Sequence, residues 1–489
     1  MMTDRVKRLL LLLLFPWILL SAPFHAATLA ERIGSSVVKI FTVSVSPDYF
    51  RPWQMQSQRA ISGTCVLIGG KLILTAAHVV NEGVFIEVKK SSDPKKYIAH
   101  VQWISHEADL ALLKVEDETF FEGTKALKLG STPHRQEGVA VYGYPEGGNE
   151  ISITQGIISR IDHTLYVYSN FDLLTLQIDA AINAGNSGGP ALNEEGDIVG
   201  IAMQKIDDSD NIGYIIPSEI IWHFLDDIKD GNYDGFPDDG LYIQTMENKN
   251  LRKHYGMKGR TGVLVTRVVD GSSCDGHIKN GDVLLAIDGV KVADDLTIAM
   301  QGGSRVSANY LIRKHQIGDT LKLKILRDKR EIIKDIPLTG EKLLIPYEHG
   351  KRPRYMIFGG MIFMPLTRNY LKVWGKEWAE KAPVKFVDLI KNENYPTEER
   401  REVVFLQSTL PDRENTGYAF PHHSIEEVNG KRIKTFNELV KCIGESKKRE
   451  VKIGLEDGYV IVIDKEKAAK ANERLLHRYS IEKSAYLGR

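Results

Sequence analysis

The sequence predicts a mainly β protein in which two packed β-barrels are followed by two smaller α+β modules. Short β-rich runs bounded by Gly, Asn or Asp recur through the first half of the chain. One amphipathic helical stretch follows them, and a strand ending in Asp-Gly or Asn-Gly then occurs once in each of two later stretches. At 489 residues the chain exceeds what a single core serves, so about three domains are expected.

The first group of predicted strands runs Val37 to Val43, Thr64 to Ile68, Leu72 to Thr75, Val84 to Val88, Ile98 to Ile104 and Leu110 to Val115. The second comprises Val139 to Gly143, Ile151 to Ile161, Leu173 to Ile178, Ile198 to Met203 and Gly213 to Ile216. Two such groups suit two barrels. Ser218 to Ile228 reads as a helix with Ser218 as N-cap and Ile220, Ile221, Phe224, Leu225 and Ile228 on one face. Lys229 to Asp239, with Pro237, reads as a linker. In the first module Gly262-Val263-Leu264-Val265 precedes Gly281 to Val290 and Leu321 to Leu326; in the second, Met361 to Met364 precedes Ser424 to Lys431 and Val451 to Leu455. The second copy carries an insertion from Leu366 to Glu402.

Arg5, Lys7 and Arg8 precede the apolar run Leu9 to Leu20, interrupted by Pro16 and followed by small residues up to Ala30. This is the pattern of a secretory signal, cleaved between Ala22 and Ala30; an uncleaved membrane anchor is the alternative. The expected division is a signal peptide over 1–27, a first domain over 28–230, modules over 238–340 and 345–470, and a C-terminal tail over 471–489. Cys65, Cys274 and Cys442 fall in different domains and give no disulfide framework, which in an exported chain suits a bacterial periplasm; each reads as a small buried hydrophobe. Sixty-four basic residues balance sixty-four acidic ones, so no nucleic-acid partner is expected.

The chemistry concentrates in three places. Gly185-Asn186-Ser187-Gly188-Gly189-Pro190 puts a serine in a glycine-bracketed turn between apolar strands; Thr75-Ala76-Ala77-His78 and Asp109-Leu110-Ala111-Leu112-Leu113 lie upstream. A serine hydroxyl hardly ionises at neutral pH and needs a base to take its proton as it attacks a carbonyl. His78 can be that base, Asp109 can hold its tautomer, and the Gly185 and Ser187 amides can receive the developing oxyanion. Each motif alone is common; their conjunction in one order points to a serine endopeptidase.

Taken together, these residues resemble those of the HtrA/Deg family of chymotrypsin-fold serine proteases, and the later modules resemble its PDZ domains. Val79 stands after His78 where disulfide-bearing digestive relatives have cysteine, and the long second module is most like the plant-type Deg branch. The resemblance implies ATP-independent degradation of unfolded or damaged proteins, assembly of homo-oligomers from trimers, and regulation by loops, here Ser46 to Ala60, Glu146 to Ile151, His163 to Asp172 and Lys205 to Asn211. Tyr49, Phe50 and Trp53 in or near the first loop are candidates for subunit contacts. Ala181, Ile182, Ile201, Ala202 and Met203 are the expected substrate pocket; being uncharged, it should take Val, Ala, Leu or Met and reject Lys or Arg. Arg260, Thr261, Gly262 and Val263 are the expected loop for a C-terminal peptide in the first PDZ module, with Phe358 to Met361 the nearest equivalent in the second. His106-Glu107 and His422-His423 lack partners at metal-ligand spacing, so neither metal nor cofactor is expected. The competing reading is a PDZ-bearing chaperone or scaffold that holds unfolded clients with little proteolysis.

Overall fold

The computed structural model describes residues 33–91, 93–205, 212–300, 303–375, 377–392 and 394–488. The expected export signal and most of loop 205–211 lie outside these residues. By their contacts the described residues divide into two units, the first holding the chain up to Ser44, Ala60–Phe236 and Val290–Ile317, the second holding Val45–Arg59, Pro237–Gly289 and Gly318 onward.

In the first unit two six-stranded sheets close on themselves, in the orders β1-β2-β3-β6-β5-β4 and β10-β11-β12-β9-β8-β7. The strands are β1 (Val37–Ser44), β2 (Arg59–Ile68), β3 (Leu72–Ala76), β4 (Gly83–Lys90), β5 (Tyr97–Ser105), β6 (Leu110–Val115), β7 (Gly138–Gly143), β8 (Ser152–Leu165), β9 (Asp172–Ile178), β10 (Pro190–Leu192), β11 (Ile198–Lys205) and β12 (Gly213–Pro217). Eleven of them fall where the alternating runs predict. The three-residue β10 was not foreseen, because it directly follows the nucleophile turn and is too short to show a period.

Side-chain alternation assigns each strand two jobs. On β3 and β6, Ile73 and Leu113 fill the first barrel while Leu74 and Leu112 turn to a second apolar cluster that also holds Leu192, Ile201 and Ile216 of the second barrel. On β11 and β12, Ala202 and Ile215 fill the second barrel. Strands buried on both faces read as unbroken apolar runs, and Leu110 to Leu113 is one.

The helix Ser218–Asp227 buries Ile220, Ile221 and Phe224 as predicted, but Ser218 is its first residue and Pro217, which offers no side-chain bond, is the N-cap. The expected linker is not loose: Phe236 is buried, and the Tyr233 hydroxyl donates to Glu107 Oε2 at 2.9 Å and pairs with Ser105 Oγ at 2.6 Å. Residues 290–317, expected in the first module, group instead with the barrels. There the Tyr310 hydroxyl donates to Glu219 at 2.7 Å, and Arg313 lies 3.7 Å from Asp172.

In the second unit an antiparallel sheet runs in the order Leu241–Gln244, Val263–Val268, Val283–Ile287, Thr320–Arg327, Arg330–Pro337. The later module has two four-stranded sheets, one built on Tyr355–Phe358, Met361–Pro365 and Val404–Thr409, the other on Ile425–Val428, Glu450–Leu455 and Val460–Asp464. The weak repeat has a physical basis in its turns. Asp288 and Asn429 both take positive φ before a positive-φ glycine; each amide donates to a lysine carbonyl (Lys322 or Lys452), and each side-chain oxygen accepts from that lysine's amide at 3.0 Å. The expected tail belongs to the later module: Lys465–Arg478 is a helix that buries Ala468, Ala471 and Leu475, and Ala485–Tyr486 pairs with Tyr355–Phe358. The second unit also holds the segment between β1 and β2, whose Tyr49 joins the cluster of Tyr355, Tyr370 and Phe386. Phe50 stands edge-on to Tyr370 and Trp374, and Trp53 to Tyr355.

Candidate active site

His78 lies on the four-residue helix Ala77–Val80 that ends β3, and Asp109 precedes β6, the strand paired with β3. The Ala76↔Leu110 pairing brings the two residues side by side without any long-range accident. One carboxylate oxygen of Asp109 accepts from the His78 backbone amide at 2.8 Å, and the other accepts from imidazole Nδ1 at 2.7 Å. This fixes the ring's position and leaves Nε2 free of Asp109. Asp109 itself is fully buried with φ of 54°, and its carbonyl accepts from the Ala77 amide. Burial of the imidazole disfavours its charge, but the Asp109 charge and hydrogen bond outweigh that and hold its pKa above the usual histidine value.

Ser187 sits in the turn between β9 and β10. Gly188 packs where a Cβ would stand 2.2 Å from Thr75 Oγ1 and 2.9 Å from the Ala76 amide, so the turn touches the strand end that carries His78. Gly63 has Val79 on one side and the Ser187 carbonyl on the other; a Cβ there would meet them at 2.7 and 3.2 Å. The Ser187 hydroxyl donates to the Met203 carbonyl at 3.2 Å.

The oxyanion candidates are oriented by the carbonyls that precede them. The Ala184 carbonyl accepts from the Glu146 amide at 2.7 Å, and the Asn186 carbonyl accepts from the Gly189 amide at 2.9 Å. In a trans peptide the N–H points opposite to the C=O, so the Gly185 and Ser187 amides are turned away from those partners. Gly185 has φ of 93°, and a Cβ there would stand 2.3 Å from the Tyr144 carbonyl oxygen. Only glycine fits both constraints.

The expected pocket residues behave differently from one another. Ile201 and Ala202 are fully buried in the core, and Met203 and Ile182 are also buried, leaving Ala181 partly open. What residues 202 and 203 present to the nucleophile turn is main chain: the Ala202 carbonyl accepts from the Gly188 amide and its amide donates to Gly189. The sequence missed Tyr168, from the β8–β9 loop, whose ring centroid lies 6.0 Å from that of His78 and whose hydroxyl meets His106 Nδ1 at 2.8 Å. No spacing rule connects Tyr168 to the triad motifs, so only the fold reveals it.

In the first of the two later modules the loop Arg260 to Val263 leads into the strand Val263–Val268. Val263 starts a strand already paired on both edges, with Leu264 opposite Gln244 on one side and Val263 opposite Leu284 on the other. The free edges of that sheet belong to Leu241–Gln244 and Arg330–Pro337. Among the described residues no group of three or more His, Cys, Asp or Glu could hold a metal, and no helix is long and apolar enough to cross a membrane.

Comparison with known proteins agrees with this geometry. Residues 63–201 match the trypsin-like peptidase domain family, and residues 240–338 and 345–485 each match a PDZ domain family. Over 451 residues the chain is 36% identical to the putative protease Do-like 3, mitochondrial, of Arabidopsis thaliana, covering 91% of this chain and 78% of that protein. It is 35% identical over 462 residues to protease Do-like 2, chloroplastic, of the same plant, covering 93% and 75%. A solved HtrA-type protease, AlgW with tripeptide, shares the fold over 64% of this chain and 96% of its own, with a TM-score of 0.51 and 22% identity. A trypsin-like domain followed by two PDZ domains, and similarity along nearly its whole length to the Do-like proteases of a plant, make this chain a serine endopeptidase of the HtrA/Deg family.

Proposed function

We propose that the chain hydrolyses unfolded or damaged proteins without ATP, with Ser187 as nucleophile, His78 as base and then acid, Asp109 as the group that orients His78, and the Gly185 and Ser187 amides as the oxyanion site. The observation that carries this is the double grip of Asp109 on His78, main chain and ring together. It sets Nε2 as the proton acceptor. For this chemistry the Ser187 hydroxyl, which donates to the Met203 carbonyl at 3.2 Å, must exchange that bond for one to Nε2, and side-chain rotation is far faster than ordinary turnover. Attack then forms a tetrahedral intermediate whose oxygen meets the two turned amides, His78 protonates the departing amine, and water resolves the acyl-enzyme by the same route in reverse. An exported location, in a bacterial envelope, and assembly from trimers complete the proposal; PDZ-bound C-terminal peptides would assist or regulate. The uncharged lining of Ala181 and its neighbours favours cleavage after Val, Ala, Leu or Met.

Casein degradation and fluorophosphonate labelling, compared between wild type and Ser187→Ala, test the reading. Wild type should cleave and label at Ser187, and the variant should do neither. A wild type that binds unfolded protein yet neither labels nor cleaves would transfer the assignment to a holding chaperone.

A further inference from the structure

Four consecutive carbonyls, from Ala184 to Ser187, define the shape of the nucleophile turn, and two of them are held by one residue of the other barrel. Thr64 of β2 donates its backbone amide to the Ser187 carbonyl at 3.0 Å and its hydroxyl to the Gly185 carbonyl at 2.8 Å. That same hydroxyl accepts from the Tyr144 amide at 2.8 Å, next to the Pro145-Glu146 segment whose Glu146 amide holds the Ala184 carbonyl. The Thr64 carbonyl accepts from Thr75 Oγ1 at 2.8 Å, three residues before His78. Thr64 is fully buried, as is Thr75.

We infer that Thr64 is a positioning residue for the oxyanion site, resting on the assignment of that site to the Gly185 and Ser187 amides. Its hydroxyl bonds both the turn and the Tyr144 segment; with the Asn186 amide donating to the Asn183 carbonyl at 2.9 Å, it fixes the plane of the Gly185–Asn186 peptide that joins the two oxyanion donors. Losing it leaves the Asn186 amide as that peptide's remaining bond, and a buried carbonyl left without a donor drives the peptide to tilt about it. The base and its carboxylate are untouched, since neither is bonded to the Thr64 side chain.

The test uses the full chain as Thr64→Val, which keeps the shape and removes the hydroxyl, and Thr64→Ser, which keeps the hydroxyl. Hydrolysis of a peptide p-nitroanilide gives kcat and KM, and a peptide boronic acid, which forms a tetrahedral adduct on the nucleophile, reports the oxyanion site directly. Thr64→Val should lower kcat by roughly 10- to 100-fold, less than full loss of a donor, with KM within about twofold and boronate affinity falling in parallel. The acid limb of kcat/KM should stay in place, and Thr64→Ser should remain within about threefold of wild type. Unchanged kcat and boronate affinity in Thr64→Val, or equal losses in both variants, would overturn the inference. If Thr64→Val does not fold, Thr64→Ala replaces it under the same criteria, and failure of both to fold would make Thr64 a folding residue and end the argument. Ser187→Ala separates the two levels: a wild type as inert as this variant sinks the catalytic assignment and Thr64 with it, whereas an active wild type with an unimpaired Thr64→Val sinks only the latter.

Discussion

Asp109 combines a left-handed backbone, full burial and a carboxylate whose two oxygens both serve His78. A non-glycine residue in that conformation costs about 1–3 kcal/mol, which is retained only where surrounding bonds over-determine it. Asp109→Asn keeps the shape but replaces one acceptor with an NH2 group, which favours the wrong imidazole tautomer; kcat should fall by about 10³- to 10⁴-fold with little change in KM. The pH profile carries an independent sign. Neutral imidazole is the working base, so turnover is lost as pH falls through the His78 pKa, and because Asp109 raises that pKa the loss should begin above the ordinary histidine value. A kcat/KM profile with its acid midpoint below about 6.5 would contradict the Asp109 contact. The three motif residues were legible because each sits beside a strand with a strong apolar pattern. Tyr168 and Thr64 were not, since their contacts lie 80 or more residues distant in sequence or come from a hydroxyl indistinguishable from any other.

At the scale of elements, legibility followed periodicity. Strands such as β6, apolar on both faces, could be read directly; β10 could not, and neither could the packing of the supposed linker, whose Tyr233 and Phe236 sit among glycines and aspartates that signal turns. The Asp/Asn-Gly signature was sound because it encodes a real backbone requirement, two successive positive φ angles. Asp288→Ala removes the acceptor for the Lys322 amide and puts alanine at a positive φ it disfavours, and should destabilise the second unit by about 1–2 kcal/mol. Urea unfolding monitored in that unit should show a lower midpoint, with activity of the barrels unchanged in its absence. Alternation likewise sends the Ile201 and Ala202 side chains into the core, while the Ala202 main chain bonds the nucleophile turn.

For the whole molecule, linear domain boundaries describe the sequence better than they describe the contacts. The chain passes from one unit to the other at 44/45, 59/60, 236/237, 289/290 and 317/318. The aromatic segment expected to meet another subunit packs, through Tyr49, Phe50 and Trp53, within the second unit of its own chain. Nothing in hydropathy marks such exchanges, because a borrowed hairpin or helix looks like any other.

The residues 290–317 that complete the barrel unit therefore set a practical limit on dissecting this enzyme. A fragment ending at Phe236 would lack the Tyr310 hydroxyl for Glu219, the Arg313 guanidinium beside Asp172, and the His315 carbonyl that meets His223 Nε2 at 2.8 Å. Such a minimal protease should melt at lower temperature than the same unit in the intact chain, and supplying the PDZ modules as a separate polypeptide should restore little of the loss.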